Sequence, residues 1–175
     1  CRTTKHAYFE AKGFPEEVVN VYKTEDGPIA VIPMRVAGDL VGLQMISEDG
    51  TKKFLFGQRS GGAQFVFDNH GQHIFCEGYA TGLSVRHAMK ALKKTYTIHV
   101  CFSAMNMVKV ASRYESGLVI ADNDKSGTGE RVAREIGFPY WMSDKVSEDF
   151  NDTHQRTGLF SVSQSLLKSM RKVTA

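Results

Sequence analysis

The chain has no apolar run near the roughly 20 residues that a membrane span needs. Its first residues, Cys1-Arg2-Thr3-Thr4-Lys5, are not followed by the apolar segment of a secretory leader, so a cytoplasmic location without membrane partners is expected. Cysteine is scarce. Cys1, Cys76 and Cys101 make an odd count with no CxxC spacing, which excludes a zinc ribbon or finger within these residues. Cys76 and Cys101 each close an apolar, strand-like run and read as reduced, buried and inert. The histidines (His6, His70, His73, His87, His99 and His154) show neither HxxxH nor HExxH spacing, so they read as packing or surface residues. The GxxxxGK[ST] order of a Walker loop is also missing, which disfavours a P-loop NTPase. No internal repeat or low-complexity segment is found.

At 175 residues the chain can build one sizeable core, or at most two small lobes. With 42% hydrophobic and 23% charged residues it reads as an ordinary globular protein. A net charge of +3 is compatible with a nucleic-acid partner without proving one. A chain that opens on Cys1 rather than Met is expected to be excised from something longer, or processed.

Residues 1–27 are polar and mixed. Phe14-Pro15-Glu16-Glu17 reads as the start of a short packing helix leading into Val18-Val19. From Ile29 the period becomes two. Ile29–Val36 reads as a strand that Pro33 pushes toward an edge or a bulge, and Leu40–Ile46 as a second. Glu48-Asp49-Gly50 is a hairpin signal before the return strand Thr51–Phe56. Residues 29–56 are therefore expected to form an antiparallel meander. The glycine-rich loop Gly57–Gly62 follows, where Arg59, with Lys52 and Lys53, is either a basic face for phosphates or a set of solvated charges.

Beyond residue 70 short apolar strands alternate with helix-length segments. The strands are Gln72–Cys76, Thr97–Cys101, Gly117–Ala121 and Phe138–Met142; the helices are Tyr79–Lys94, one from an N-cap at Ser103 to about Tyr114, Gly127–Ile136, and one within Thr153–Lys172. Strict alternation predicts an α/β fold with a Rossmann-like parallel sheet flanked by helices. The predicted division is residues 1–70 for the antiparallel lobe and 71–175 for the parallel-sheet domain. Tyr140 and Trp141 read as core rather than as a base-stacking platform.

Parallel sheets bind ligands beyond the carboxyl ends of their strands. Glu77-Gly78 directly follows one strand and Asp122-Asn123-Asp124 another, with Glu148-Asp149-Phe150-Asn151-Asp152 after the fourth. Carboxylates gathered at one sheet edge repel one another and raise each other's pKa. A divalent cation resolves that conflict, and Mg²⁺ suits it because it takes carboxylate oxygens, keeps waters and leaves positions for phosphates. Lys125-Ser126-Gly127-Thr128-Gly129 opens a helix whose exposed N–H groups would also suit a phosphate.

Glu77-Gly78 with Asp122-Asn123-Asp124 resembles the Toprim signature of DnaG-type primases, topoisomerases and related nucleases. The run Cys76–Ser84, the segment Phe102–Asn106 and the ending Asp149–Asp152 look like those of phage and plasmid DNA primases. Tyr8–Gly13, Val41–Gln44 and Asp49–Leu55 are similar to the subdomain that precedes Toprim in their RNA polymerase core. The resemblance implies synthesis of short RNA primers on single-stranded DNA from ribonucleoside triphosphates. It implies Glu77, Asp122 and Asp124 as catalytic metal-binding acids, completed by Asp149 and Asp152, with Mg²⁺, or Mn²⁺ in its place. Lys52, Lys53, Arg59 and Lys125 become nucleotide or template contacts. A helicase or zinc-binding domain would be fused in a longer chain, and the setting would be a bacterial or phage-infected cytoplasm. Thr81 stands where DnaG-type enzymes commonly carry an Asp, four residues after the Glu. Two other readings remain: a Toprim nuclease using water as nucleophile, and a non-catalytic nucleic-acid-binding replication module. A topoisomerase is disfavoured because its nucleophilic Tyr belongs to other domains.

Overall fold

The computed structural model describes residues 1–171; Lys172, the last residue of the expected final helix, lies outside them. Residues 1–65 and the residues from Val66 onward form two compact units. The first holds β1 (Arg2–Thr4), α1 (Ala7–Ala11), β2 (Val19–Thr24), β3 (Gly27–Val36), β4 (Asp39–Ser47) and β5 (Lys52–Phe54). Its strands run antiparallel in chain order, so the expected meander gains two strands at its front.

The helix expected from Phe14 is not there. Val19-Asn20-Val21 instead buries its two valines and leaves Asn20 in solvent, which only a period of two allows. The short α1 lies earlier, where His6 Nδ1 accepts the Tyr8 N–H at 3.4 Å. Pro33 sits in β3 between β2 and β4, yet the ladder to β2 stops at Val31↔Asn20. Beyond that point β2 gives β3 no partner, so a missing N–H breaks no bond to it. The register shift expected near Pro33 falls between Met34 and Arg35.

The second unit holds β6 (Phe65–Asp68, which begins one residue before the boundary), β7 (Gln72–Cys76), α2 (Tyr79–Ala91), β8 (Tyr96–Val100), α3 (Ala104–Ala111), β9 (Leu118–Ala121), α4 (Thr128–Ile136), β10 (Tyr140–Met142) and α5 (Phe150–Met170). The sheet order is β10-β9-β7-β8-β6, with β7 to β10 mutually parallel. Ile74, Phe75 and Cys76 on β7 and all of β9 are buried, which is why both read as unbroken apolar runs rather than as alternation. His99 stacks on Phe75 with ring centroids 4.8 Å apart and meets His73 at 3.0 Å between ring nitrogens, a packing role for both imidazoles. Burial and the neighbouring His73 push His99 down to about 4, so it stays neutral in the core near pH 7.

Ser103 caps α3 as expected, its hydroxyl accepting the Asn106 N–H at 3.2 Å. Gly137 ends α4 in the left-handed conformation. The last helix begins at Phe150, earlier than expected, because Asp149 and Asp152 close a reciprocal capping box. Gly158 (φ 82°) interrupts it, so the single apolar stripe expected along it is not continuous: Val162, Leu166 and Met170 are buried while Leu159 is exposed. Trp141 is core, packed edge-on against Phe150 and donating its indole N–H to Ser165 Oγ at 2.8 Å. No helix among the described residues is long and apolar enough to cross a membrane.

Candidate functional site

In the second unit β9 lies beside β7 rather than beside β8, with Ile74 opposite Leu118 and Phe75 opposite Val119. Their carboxyl ends are therefore about one inter-strand spacing, ~4.8 Å, apart. Glu77 directly follows β7 and Asp122 directly follows β9, both half-buried. Glu77 is held on its other side, since its carbonyl accepts the Phe102 N–H at 2.8 Å. Phe102 adopts φ 68°, a left-handed conformation that a non-glycine residue rarely takes.

The chain returns to this edge through one isolated bridge. The Asn123 N–H donates to the Glu148 carbonyl at 3.2 Å, and the Ser147 N–H donates to the Asn123 carbonyl at 2.6 Å. Asn123 Nδ2 adds a bond to the Ser143 carbonyl at 3.0 Å. This brings Asp149 to the same corner. The Cys76 thiol is pushed well above its usual range by burial first, then by the charges of Cys101, Asp122, Asp149 and Glu77. Three carboxylates from three elements thus act on one buried sulfur.

Asp124 does different work. One carboxylate oxygen accepts the N–H groups of Ser126 at 2.8 Å and Thr128 at 3.2 Å, together with the Ser126 hydroxyl; the other accepts the Gly129 N–H at 2.9 Å. The N–H groups that the sequence offered to a phosphate at this helix start are taken by the chain's own carboxylate. Hydrogen bonding by the Ser126 hydroxyl, then by the Gly129 amide, holds Asp124 down to about 2. A depressed carboxyl stabilises the fold above its unfolded pKa, roughly 3.9, and that contribution disappears as pH falls toward the folded value. Asp124→Asn is therefore expected to lower stability at pH 6, with the gap to the parent chain narrowing between pH 4 and pH 2.5. Urea unfolding across that range checks it, and a gap that stays constant contradicts the assignment.

Asp149 Oδ1 accepts the Asp152 N–H at 2.8 Å, and Asp152 Oδ2 accepts the Asp149 N–H at 3.2 Å. Of the five acids expected as one metal set, Glu77, Asp122 and Asp149 lie at one corner, while Asp124 and Asp152 serve helix starts, and Asp149 does both, since its Oδ1 caps α5. Among the described residues no group of three or more His, Cys, Asp or Glu is placed to hold a metal ion as the side chains stand. The donor chemistry nevertheless fits a hard cation: Glu77, Asp122 and Asp149 offer carboxylate oxygens, and the neighbouring Cys76 is buried and protonated. Glu77, Asp122 and Asp149 could hold such an ion.

Lys52 and Lys53 do not form one basic face. Consecutive strand residues project to opposite sides; the Lys52 ammonium lies over the Tyr8 ring at 5.9 Å, whereas Lys53 lines a groove with Asp26, Glu48 and Asp49. Arg59 is exposed in a loop anchored by its neighbour Gln58, whose Oε1 accepts the Leu43 N–H at 2.8 Å. Gly42 makes that anchor feasible, since a Cβ there would lie 2.6 Å from the Gln58 amide. Lys125 is exposed beside Asp124. Thr81 is buried in the first turn of α2.

The geometry invites comparison with known proteins. No family model matches the chain. Among solved structures it is similar to the primase fragment of the bacteriophage T7 primase–helicase protein, with a TM-score of 0.59 and 16% identity over 93% of this chain and 68% of that one. It is also similar to a DNA primase domain from Pseudomonas aeruginosa, with a TM-score of 0.54 and 14% identity over 84% of this chain. The chain spans about half of that second domain, 55% of its length. The fold is that of DNA primase domains.

Proposed function

We propose that this chain is the catalytic core of a DNA primase of the phage or plasmid type: a Toprim domain with a small antiparallel lobe before it. It would make short RNA primers on single-stranded DNA as a metal-dependent nucleotidyltransferase. The observation that carries this reading is the adjacency of β7 and β9, which brings the strand ends that Glu77 and Asp122 follow next to each other, with Asp149 tethered to the same corner. The fold shared with the T7 primase fragment and the P. aeruginosa primase domain supports it.

In this reading Glu77, Asp122 and Asp149 hold Mg²⁺ or Mn²⁺. Such an ion, when bound, supplies positive charge to phosphate oxygens during in-line displacement. Asp124 holds the first turn of α4 against the strand end and so fixes the backbone on which Asp122 sits. Lys125, Arg59, Lys52 and Lys53 are proposed contacts for triphosphate and template, contributing charge rather than sequence readout. A helicase or zinc-binding module joined to this core would supply what these residues lack for choosing a start site.

The test is a gel assay on single-stranded DNA annealed to a short labelled primer, with ribonucleotides and Mg²⁺ or Mn²⁺. Metal-dependent primer extension is the expected result. Labelled strands that shorten instead would move the assignment to a Toprim nuclease. Binding without either reaction would leave a replication module.

A further inference from the structure

Glu148 is the acid nearest in sequence to Asp149, and its charge would suit a metal ligand. The structure has it fully occupied. Arg156 Nε donates to Oε1 at 2.8 Å and to Oε2 at 3.0 Å, and its Nη2 donates to Oε2 at 2.8 Å. Ser143 Oγ donates to Oε2 at 3.1 Å and Thr153 Oγ1 at 3.2 Å, while Lys145 Nζ lies 3.3 Å from Oε1. A carboxylate offers about four lone-pair directions, so little acceptor capacity remains for a cation. The side chain is only 11% exposed.

What Glu148 controls is the backbone on either side of it. Its carbonyl bonds to Asn123, the residue between Asp122 and Asp124, and its successor is Asp149. No strand ladder supports that bridge. Ser147, just before it, sits at φ 67°, a conformation disfavoured for serine, so the loop needs outside support to stay there. Arg156, one helical turn beyond Asp152 on α5, provides it, and its Nη2 also ties Asp144 at 3.0 Å.

We propose that Glu148 and Arg156 form a positioning clamp that holds Asp149 in register with Asp122, and so sets the divalent-cation affinity of that corner without either residue touching the ion. This deepens the metal-site reading above and rests on it. A planar guanidinium engaging both carboxylate oxygens is what the geometry requires, and an ammonium cannot copy it.

The test is calorimetric and EPR titration of the full chain with Mn²⁺ alone, beside thermal melts of the same samples. Arg156→Met and Glu148→Gln are each expected to weaken Mn²⁺ binding by about tenfold to a hundredfold, the range for groups that support metal ligands from behind. Arg156→Lys, which keeps the charge and solubility if the Met variant folds poorly, is expected to fall between parent and Arg156→Met. The double variant is expected to lose no more than the worse single one, because the two act as one unit. Equal affinity in parent and Arg156→Lys or Arg156→Met overturns the clamp and leaves the metal site standing. A further large loss in the double variant beyond Arg156→Met identifies Glu148 as a ligand and also overturns it. A parent chain that binds no Mn²⁺ at millimolar concentration removes the metal-site reading, and the clamp with it.

Discussion

Asp122→Asn is expected to reduce primer extension by roughly two to three orders of magnitude, the scale on which removing one preorganised electrostatic group acts, while leaving the melting temperature close to that of the parent. The two halves of this expectation have different physical sources. Asparagine keeps the shape of aspartate, and what fixes position 122 locally is backbone: the first turn of α4 packs against its main chain at Gly129. The substitution removes only the negative charge and one anionic oxygen from the corner that Glu77 and Asp149 share. Asp124→Asn forms the contrast. Its carboxylate accepts hydrogen bonds at the start of α4, so its loss is expected to appear first as stability and only secondarily as activity. Single-nucleotide extension of a supplied primer, measured for both variants beside circular-dichroism melts, separates them. Comparable activity losses in the two variants at unchanged stability would mean that both are ligands, as the Toprim resemblance implies.

Gly129→Ala is expected to damage both stability and activity, against the simplest expectation for a glycine inside a helix. Helix propensity alone favours alanine by about 1 kcal/mol. At this position an added Cβ would lie 2.1 Å from the Asp122 carbonyl oxygen and about 3 Å from its carbonyl carbon and nitrogen. These are backbone atoms, which cannot rotate aside as a side chain can. Overpacking of this kind costs about 1–3 kcal/mol, so strain outweighs propensity and a drop in melting temperature of roughly 5 °C is expected. The larger effect is on activity. Relief of the clash must move α4 or the strand end, and a misplacement near 1 Å at a reacting centre costs roughly a hundredfold. Gly127→Ala is the matched control: it has φ 70° but nothing within 4 Å of an added Cβ, so it should show backbone strain without displacing Asp122. A Gly129→Ala variant as stable and active as the parent would show that the approach of α4 to Asp122 is not what seats the site.

Much of the second unit was legible from local pattern. The strand Gln72–Cys76, the cap at Ser103 and the stop at Gly137 each depend on neighbours within four or five residues, and each is where the pattern places it. The first 27 residues were less legible, because β2 is recognisable as a strand only through its pairing with β3, and Phe14-Pro15-Glu16-Glu17 imitates a helix start at short range. Asp124 and Asp152 look like Asp122 and Glu77 in sequence. What separates them is where backbone N–H groups point, which no spacing reveals. Arg156 stands four residues after Asp152, a helix-pair spacing, yet its guanidinium goes to Glu148 and Asp144, eight and twelve positions back.

By itself the sequence determined the alternation of apolar runs with helical segments, the placing of carboxylates just past strand ends, and the absence of any thiol or imidazole set to accompany them. All of these follow from the chemistry of single residues and from periods of two and 3.6. Only the tertiary structure decided that β9 inserts next to β7, and so which strand ends become neighbours. Only it decided which of the five acids lie at a common corner and which cap helix starts, with Asp149 doing both. The reason is physical: strand order and side-chain partnership are set by packing between segments 44 to 73 residues apart, and a local pattern carries no record of which distant surface will cover it.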